Sequence, residues 1–60
     1  MEQLKILRKK TGLTQAEVAV KLGIDRSTYA KYETGQSEPN FEILAKIAEL
    51  YGASLGVKRP

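Results

Sequence analysis

The 60-residue chain contains no cysteine and no histidine. The first absence excludes disulfide staples, and the two together remove the commonest ligands of structural zinc. No metal site and no cofactor is expected. Long apolar runs are missing as well: uninterrupted apolar stretches reach only two or three residues, against the roughly 20 that a membrane-spanning helix needs. No signal-peptide pattern opens the chain. No membrane partner is expected, and the compartment that fits is a reducing cytoplasm, at the nucleoid of a bacterium or in the host cell if a phage encodes the chain. The lack of His and Cys also weighs against catalysis. No phosphate-loop motif appears, and the carboxylates are spread over helix caps and surfaces rather than paired as acid and base. The chain is expected not to be an enzyme.

What is present is modest in amount. Hydrophobic residues make up 42% of the chain, enough for one core that buries roughly 60% of the surface an unfolded chain exposes. Within these residues no second domain is expected, and residues 1–60 are read as a single domain. Ten Lys+Arg against seven Asp+Glu give a net charge of +3 and an isoelectric point near 9.4. That balance favours an anionic partner such as nucleic acid, and by itself it suits a plainly solvated surface equally well.

Four helices are predicted, giving an all-α fold. The first covers roughly Glu2 to Lys10, with Leu4 and Leu7 on one face and Gly12 placed to end it in the left-handed conformation. Leu13 turns back toward the core. Thr14-Gln15-Ala16-Glu17 has the spacing of a capping box, in which the Thr hydroxyl and the Glu carboxylate satisfy each other's exposed backbone N–H groups. A second helix therefore starts there, buries Val18, Ala19 and Leu22, and stops at Gly23. Asp25 is placed to cap a third helix that runs through Thr34 to Gly35. Two short helices joined by so tight a turn must cross steeply, the helix-turn-helix geometry, here at about residues 14–34. Asn40 is placed to cap a fourth helix with Phe41, Leu44, Ile47, Ala48 and Tyr51 as its core face and Gly52 as its stop. The tail 53–60 reads as poorly ordered.

The third helix has two unlike sides. At about 100° per residue, Tyr29 and Tyr32 share one side and complete the core, while Arg26, Ser27, Ala30 and Lys31 share the other. Arg and Lys reach guanine O6 and N7, Ser contacts several bases, and Ala touches a thymine methyl while letting the backbone approach. Arg26 and Ser27 stand in the first turn, the end of a recognition helix that enters the major groove.

Leu7-Arg8, Leu13-Thr14-Gln15-Ala16-Glu17-Val18-Ala19, Leu22-Gly23-Ile24, Tyr32-Glu33, Gly35 and Pro39 stand in the order of the Cro/C1-type domain. Over about residues 2 to 55 the chain resembles this lambda repressor-like family, also called the xenobiotic-response-element family. The resemblance implies a compact four- to five-helix domain that inserts the helix at about 25–34 into the major groove. Its implied function is that of a sequence-specific transcriptional regulator of double-stranded DNA, a repressor, acting as a homodimer, at least on the DNA, at a pseudo-palindromic operator. It places base reading on Arg26, Ser27 and Lys31. Phosphate contacts are expected at Gln15, which also braces the start of the third helix, and at Thr14, Thr28, Thr34 and Asn40, with Thr34 standing where the family usually has Asn. Arg8 and Glu33, at the edge of the apolar faces, are implied to form a structural ion pair; Lys9 and Lys10 are read as solvated surface.

The C-terminus departs most from the family. A fifth helix usually opens Ser-Leu-Asp-x-Leu, where this chain has Ser54-Leu55-Gly56-Val57-Lys58-Arg59-Pro60. Gly56 and Pro60 disfavour helix, so that helix is expected to be frayed, reduced to a turn or absent. A competing function is a protein-interaction module of the same fold, antitoxin-like or an anti-repressor target. Its patch would be Ile43 and Leu50 on the flank of the fourth helix, which otherwise form the edge of the core.

Overall fold

The computed structural model describes residues 2–54. They form four helices, α1 (Glu2–Thr11), α2 (Gln15–Leu22), α3 (Arg26–Thr34) and α4 (Phe41–Ser54), with no strand among the described residues. Residues 55–60, where the family's fifth helix is expected to be frayed, reduced to a turn or absent, lie outside the described residues.

Local chemistry sets the ends of the short helices. At the start of α2, the Thr14 hydroxyl oxygen accepts the Glu17 backbone N–H at 3.1 Å and the Glu17 carboxylate accepts the Thr14 backbone N–H at 2.9 Å. Both halves of the capping box are therefore made. Gly23 closes α2 at φ 73°, its own N–H turned back to the helix carbonyls, and the Ile24 N–H reaches the Ala19 carbonyl at 3.0 Å. Asp25 occupies the cap position of α3 with extended backbone, yet its side chain makes no capping hydrogen bond. The start of α3 thus rests on the backbone alone, through the Tyr29 N–H to the Asp25 carbonyl at 3.1 Å. Asn40 does cap α4: its Oδ1 accepts the Ile43 N–H at 2.8 Å.

Leu4 of α1, Val18, Ala19 and Leu22 of α2, Tyr29 and Tyr32 of α3, and Ile47 and Tyr51 of α4 form the core. Leu7, Leu13, Ile24, Ile43 and Leu50 pack around it. Tyr29 and Tyr32 meet edge to face, ring centroids 6.5 Å apart, the arrangement that places a positive ring edge against a negative face. The hydroxyls of Tyr29 and Tyr51 hydrogen-bond to each other inside the core, so neither ring buries an unmet polar group. Burial pushes both hydroxyls' pKa values up, and both rings stay neutral.

The fourth helix differs from its expected pattern in two ways. Its buried side is Ile47 and Tyr51, flanked by Ile43 and Leu50; Phe41 is 85% exposed, Leu44 is 41% exposed and Ala48 is exposed. Apolar residues occur on two overlapping helical stripes of α4, and its packing against α1, α2 and Tyr29 of α3 covers only one. Gly52 does not stop the helix, which continues through Ser54. The positive φ that ends a helix is taken up by Gly12, Gly23 and Gly35 and not by Gly52. Ala53 and Ser54, expected in a poorly ordered tail, belong to α4.

These two kinds of glycine predict opposite effects of the same substitution. At Gly23 a Cβ would meet nothing within 4 Å, so Gly23→Ala suffers only the left-handed backbone cost of about 1–2 kcal/mol. At Gly52 the space is equally open and the backbone is helical, so Gly52→Ala stabilises by about 0.5–1 kcal/mol. Urea unfolding midpoints should move in opposite directions for the two variants; movement in the same direction would contradict the assignment.

Candidate nucleic-acid interface

The ion pair implied for Arg8 and Glu33 is made. Arg8 Nε donates to Glu33 Oε2 at 2.6 Å and a terminal guanidinium nitrogen to Oε1 at 3.3 Å, with the side chains only 14% and 4% exposed. The other guanidinium nitrogen donates to the Leu13 carbonyl at 3.1 Å, so one planar group ties α1 to the turn before α2 and to the last turn of α3. Burial alone would push the Glu33 carboxyl pKa up, but hydrogen bonds from Arg8, Gln15 and Tyr29 outweigh it and hold the group below the ordinary carboxylate range. The Glu17 carboxyl also lies low, through the Thr14 backbone hydrogen bond, but on an exposed side chain.

With Tyr29, Tyr32 and Glu33 turned inward, the opposite side of α3 faces solvent. Arg26, Ser27 and Lys31 are exposed and Ala30 is half-buried between them and the core. The structure thus brings together the four residues expected to read bases, on a helix clamped along its other side. Lys9 and Lys10 are exposed on α1.

The expected phosphate donors differ in what they have left to give. The Thr14 hydroxyl accepts in the capping box and keeps its hydrogen. Asn40 uses its Oδ1 on the cap and keeps both amide hydrogens. Both stand at helix starts, where uncompensated N–H groups favour anions. Thr28 is half-buried. The Thr34 hydroxyl donates to the Lys31 carbonyl at 3.2 Å, so its single hydrogen is committed within α3. Gln15 donates from Nε2 to Glu33 Oε1 at 2.9 Å. Its brace therefore lands on the last turn of α3, not on the start that the family resemblance implied. No sequence signal pointed to this contact, or to the Tyr29–Tyr51 hydroxyl pair, because both join residues far apart in the chain. Ile43 and Leu50 are half-buried and pack against the core, which places them at its edge.

Two short helices across a left-handed glycine, the second with a polar, cationic outer face, define the class: a helix-turn-helix domain. The chain belongs to the Cro/C1-type helix-turn-helix family, whose model, described as Helix-turn-helix, matches residues 4–58. It is 44% identical over 54 residues to the uncharacterized HTH-type transcriptional regulator YqaE of Bacillus subtilis, covering 90% of this chain and 47% of that protein. To the cryptic phage CTXphi transcriptional repressor RstR of Vibrio cholerae it is 41% identical over 54 residues, 90% and 48% of the two chains. The uncharacterized HTH-type transcriptional regulator MJ0272 of Methanocaldococcus jannaschii is 36% identical over 53 residues, 88% and 80% of the two chains. The chain spans about half the length of the first two relatives. No solved structure matches it.

Two predictions follow from the buried pair. Arg8→Ala strands a buried carboxylate and should cost roughly 3–5 kcal/mol, whereas Lys9→Ala, at an exposed position, should stay within about 0.5 kcal/mol of the parent; equal urea midpoints would rule out a stabilising pair. The acid dependence has a definite sign. A carboxyl whose native pKa lies below its unfolded value of 4.5 contributes its full stability above that pH and loses it as pH falls through the native value. The urea midpoint should hold steady from neutrality to about pH 5 and fall below about pH 4.5. Glu17→Gln, which removes the exposed low carboxyl, should leave most of that fall in place; a flat profile to about pH 3 would contradict the assignment.

Proposed function

We propose that the chain is the DNA-reading domain of a sequence-specific transcriptional regulator, a repressor, which inserts α3 into the major groove of double-stranded DNA. The observation that carries this reading is the outer face of α3, where Arg26, Ser27 and Lys31 are exposed on a helix whose inner face is locked into the core. Arg26 and Lys31 supply donors for guanine, Ser27 adapts to several bases and Ala30 meets a thymine methyl. Thr14, Gln15 and Asn40, with Thr28 beside the reading face, anchor the phosphate backbone and set the register. The repressor role is supported by the likeness to RstR, a transcriptional repressor, and the reading is one of binding rather than catalysis. A regulator of this kind works in the cytoplasm, at the bacterial nucleoid or in a phage-infected host.

A nine-residue helix reads too few base pairs for strong specificity, so two copies are expected on a pseudo-palindromic site, paired at least when bound. Selection from a random duplex library tests the function directly. It should recover inverted half-sites whose centres lie about one helical turn, roughly 10–10.5 bp, apart; recovery of single, unrepeated half-sites would exclude the paired mode, and no enrichment at all would exclude sequence-specific binding.

Readers and anchors should separate in the same assay. Arg26→Ala should relax preference at one base pair by about 1–3 kcal/mol, and Gln15→Ala should weaken all sequences alike. Unchanged base preference in Arg26→Ala, measured on single-base variants at fixed salt, would show that the reading face lies elsewhere.

A further inference from the structure

Resting on the phosphate-anchoring role proposed for Gln15, we infer that Glu33 is a positioning residue for DNA binding, its carboxylate holding one amide hydrogen of Gln15 so that the other is offered to the DNA backbone. An ionised carboxylate only accepts hydrogen bonds, so of the two ends of the Gln15 amide only the nitrogen can face Glu33. The Nε2 to Oε1 contact at 2.9 Å therefore decides which way the amide is turned. A phosphate oxygen also only accepts, so the productive end of the amide is again its nitrogen. A glutamine free at the first position of α2 samples many rotamers and presents oxygen or nitrogen, and ordering it on binding costs entropy. Here that ordering is done before DNA arrives.

Glu33 is suited to the task because it is itself immobilised. Arg8 grips both of its oxygens, at 2.6 and 3.3 Å, and the side chain is 4% exposed. Gln15, by contrast, is half-buried at the start of α2, with one amide hydrogen and Oε1 uncommitted. A fixed chain of contacts thus runs from the guanidinium of α1 through the last turn of α3 to the edge of the interface. The same carboxylate that closes the core orients an anchor on its surface.

The test is a double-mutant cycle on the folded chain, with affinity for the duplex enriched by the selection above, about two helical turns long, measured at fixed salt. The parent should bind with an affinity that falls as salt rises; a parent that does not bind overturns the proposed function, and this inference with it. Gln15→Ala should weaken binding about tenfold, Glu33→Gln should show most of the same loss, and the two together should be no weaker than Gln15→Ala alone. Losses that multiply in the double variant would show that Glu33 acts independently of Gln15, and parental affinity in Glu33→Gln would show that it does not act; either overturns the inference while the parent's binding leaves the function standing. If Glu33→Gln fails to fold, the two Nε2 hydrogens of Gln15 in the ¹⁵N-labelled parent give the answer. One should exchange slowly and keep its shift when the duplex is added, and the other should move; both moving, or neither, overturns the inference.

Discussion

The placing of α3 depends on how one buried carboxylate is compensated. Glu33 sits on the inner face of α3, where an uncompensated charge would cost several kcal/mol. Arg8 from α1 and Gln15 from α2 supply the hydrogen bonds that keep it ionised. Because these donors come from two other helices, meeting the electrostatic demand also sets how α1, α2 and α3 stand together. A well-packed apolar replacement would meet no such demand and specify no such arrangement. The ion pair costs desolvation and returns geometry.

The rest of the core is arranged to leave the opposite side of α3 open. Tyr29 and Tyr32 fill much of the space between α3 and its neighbours, and the Tyr29 hydroxyl is met by Tyr51 from α4. Two large rings do the work of several aliphatic residues in a nine-residue helix, so its remaining positions are free for Arg26, Ser27, Ala30 and Lys31. Helices this short have little stability in isolation. The capping box at Thr14 and the left-handed glycines at 12, 23 and 35 define where they begin and end, and packing holds them.

The helix boundaries of α2 and α3 were legible from the residues alone, as were the two faces of α3. A cap, a stop glycine and a 3.6-residue period are signals carried within three or four neighbours. The fourth helix was legible only in part. Phe41, Leu44 and Ala48 share a stripe as apolar as that of Ile43, Ile47 and Leu50, and periodicity has no means of choosing between them when both lie on one helix. Gly52 is likewise ambiguous, since a glycine permits a left-handed turn without requiring one. The side chains proposed to contact phosphate were legible as residue types, but not in their commitments: the Thr34 hydroxyl is spent on the Lys31 carbonyl, whereas Asn40 retains both amide hydrogens.

Residue patterns within a few neighbours were enough to define the helix-turn-helix and the chemistry of its outer face, because caps, stops and periodicity are local and the side chains on α3 differ sharply between its two sides. Tertiary structure alone decided which stripe of α4 is buried, that Gln15 turns its amide to Glu33, and that Tyr29 finds Tyr51. Those contacts join residues 18 and 22 positions apart. No local propensity links such positions; only the packing of all four helices, driven by burying the apolar faces and by satisfying the polar groups caught between them, brings them within hydrogen-bond reach.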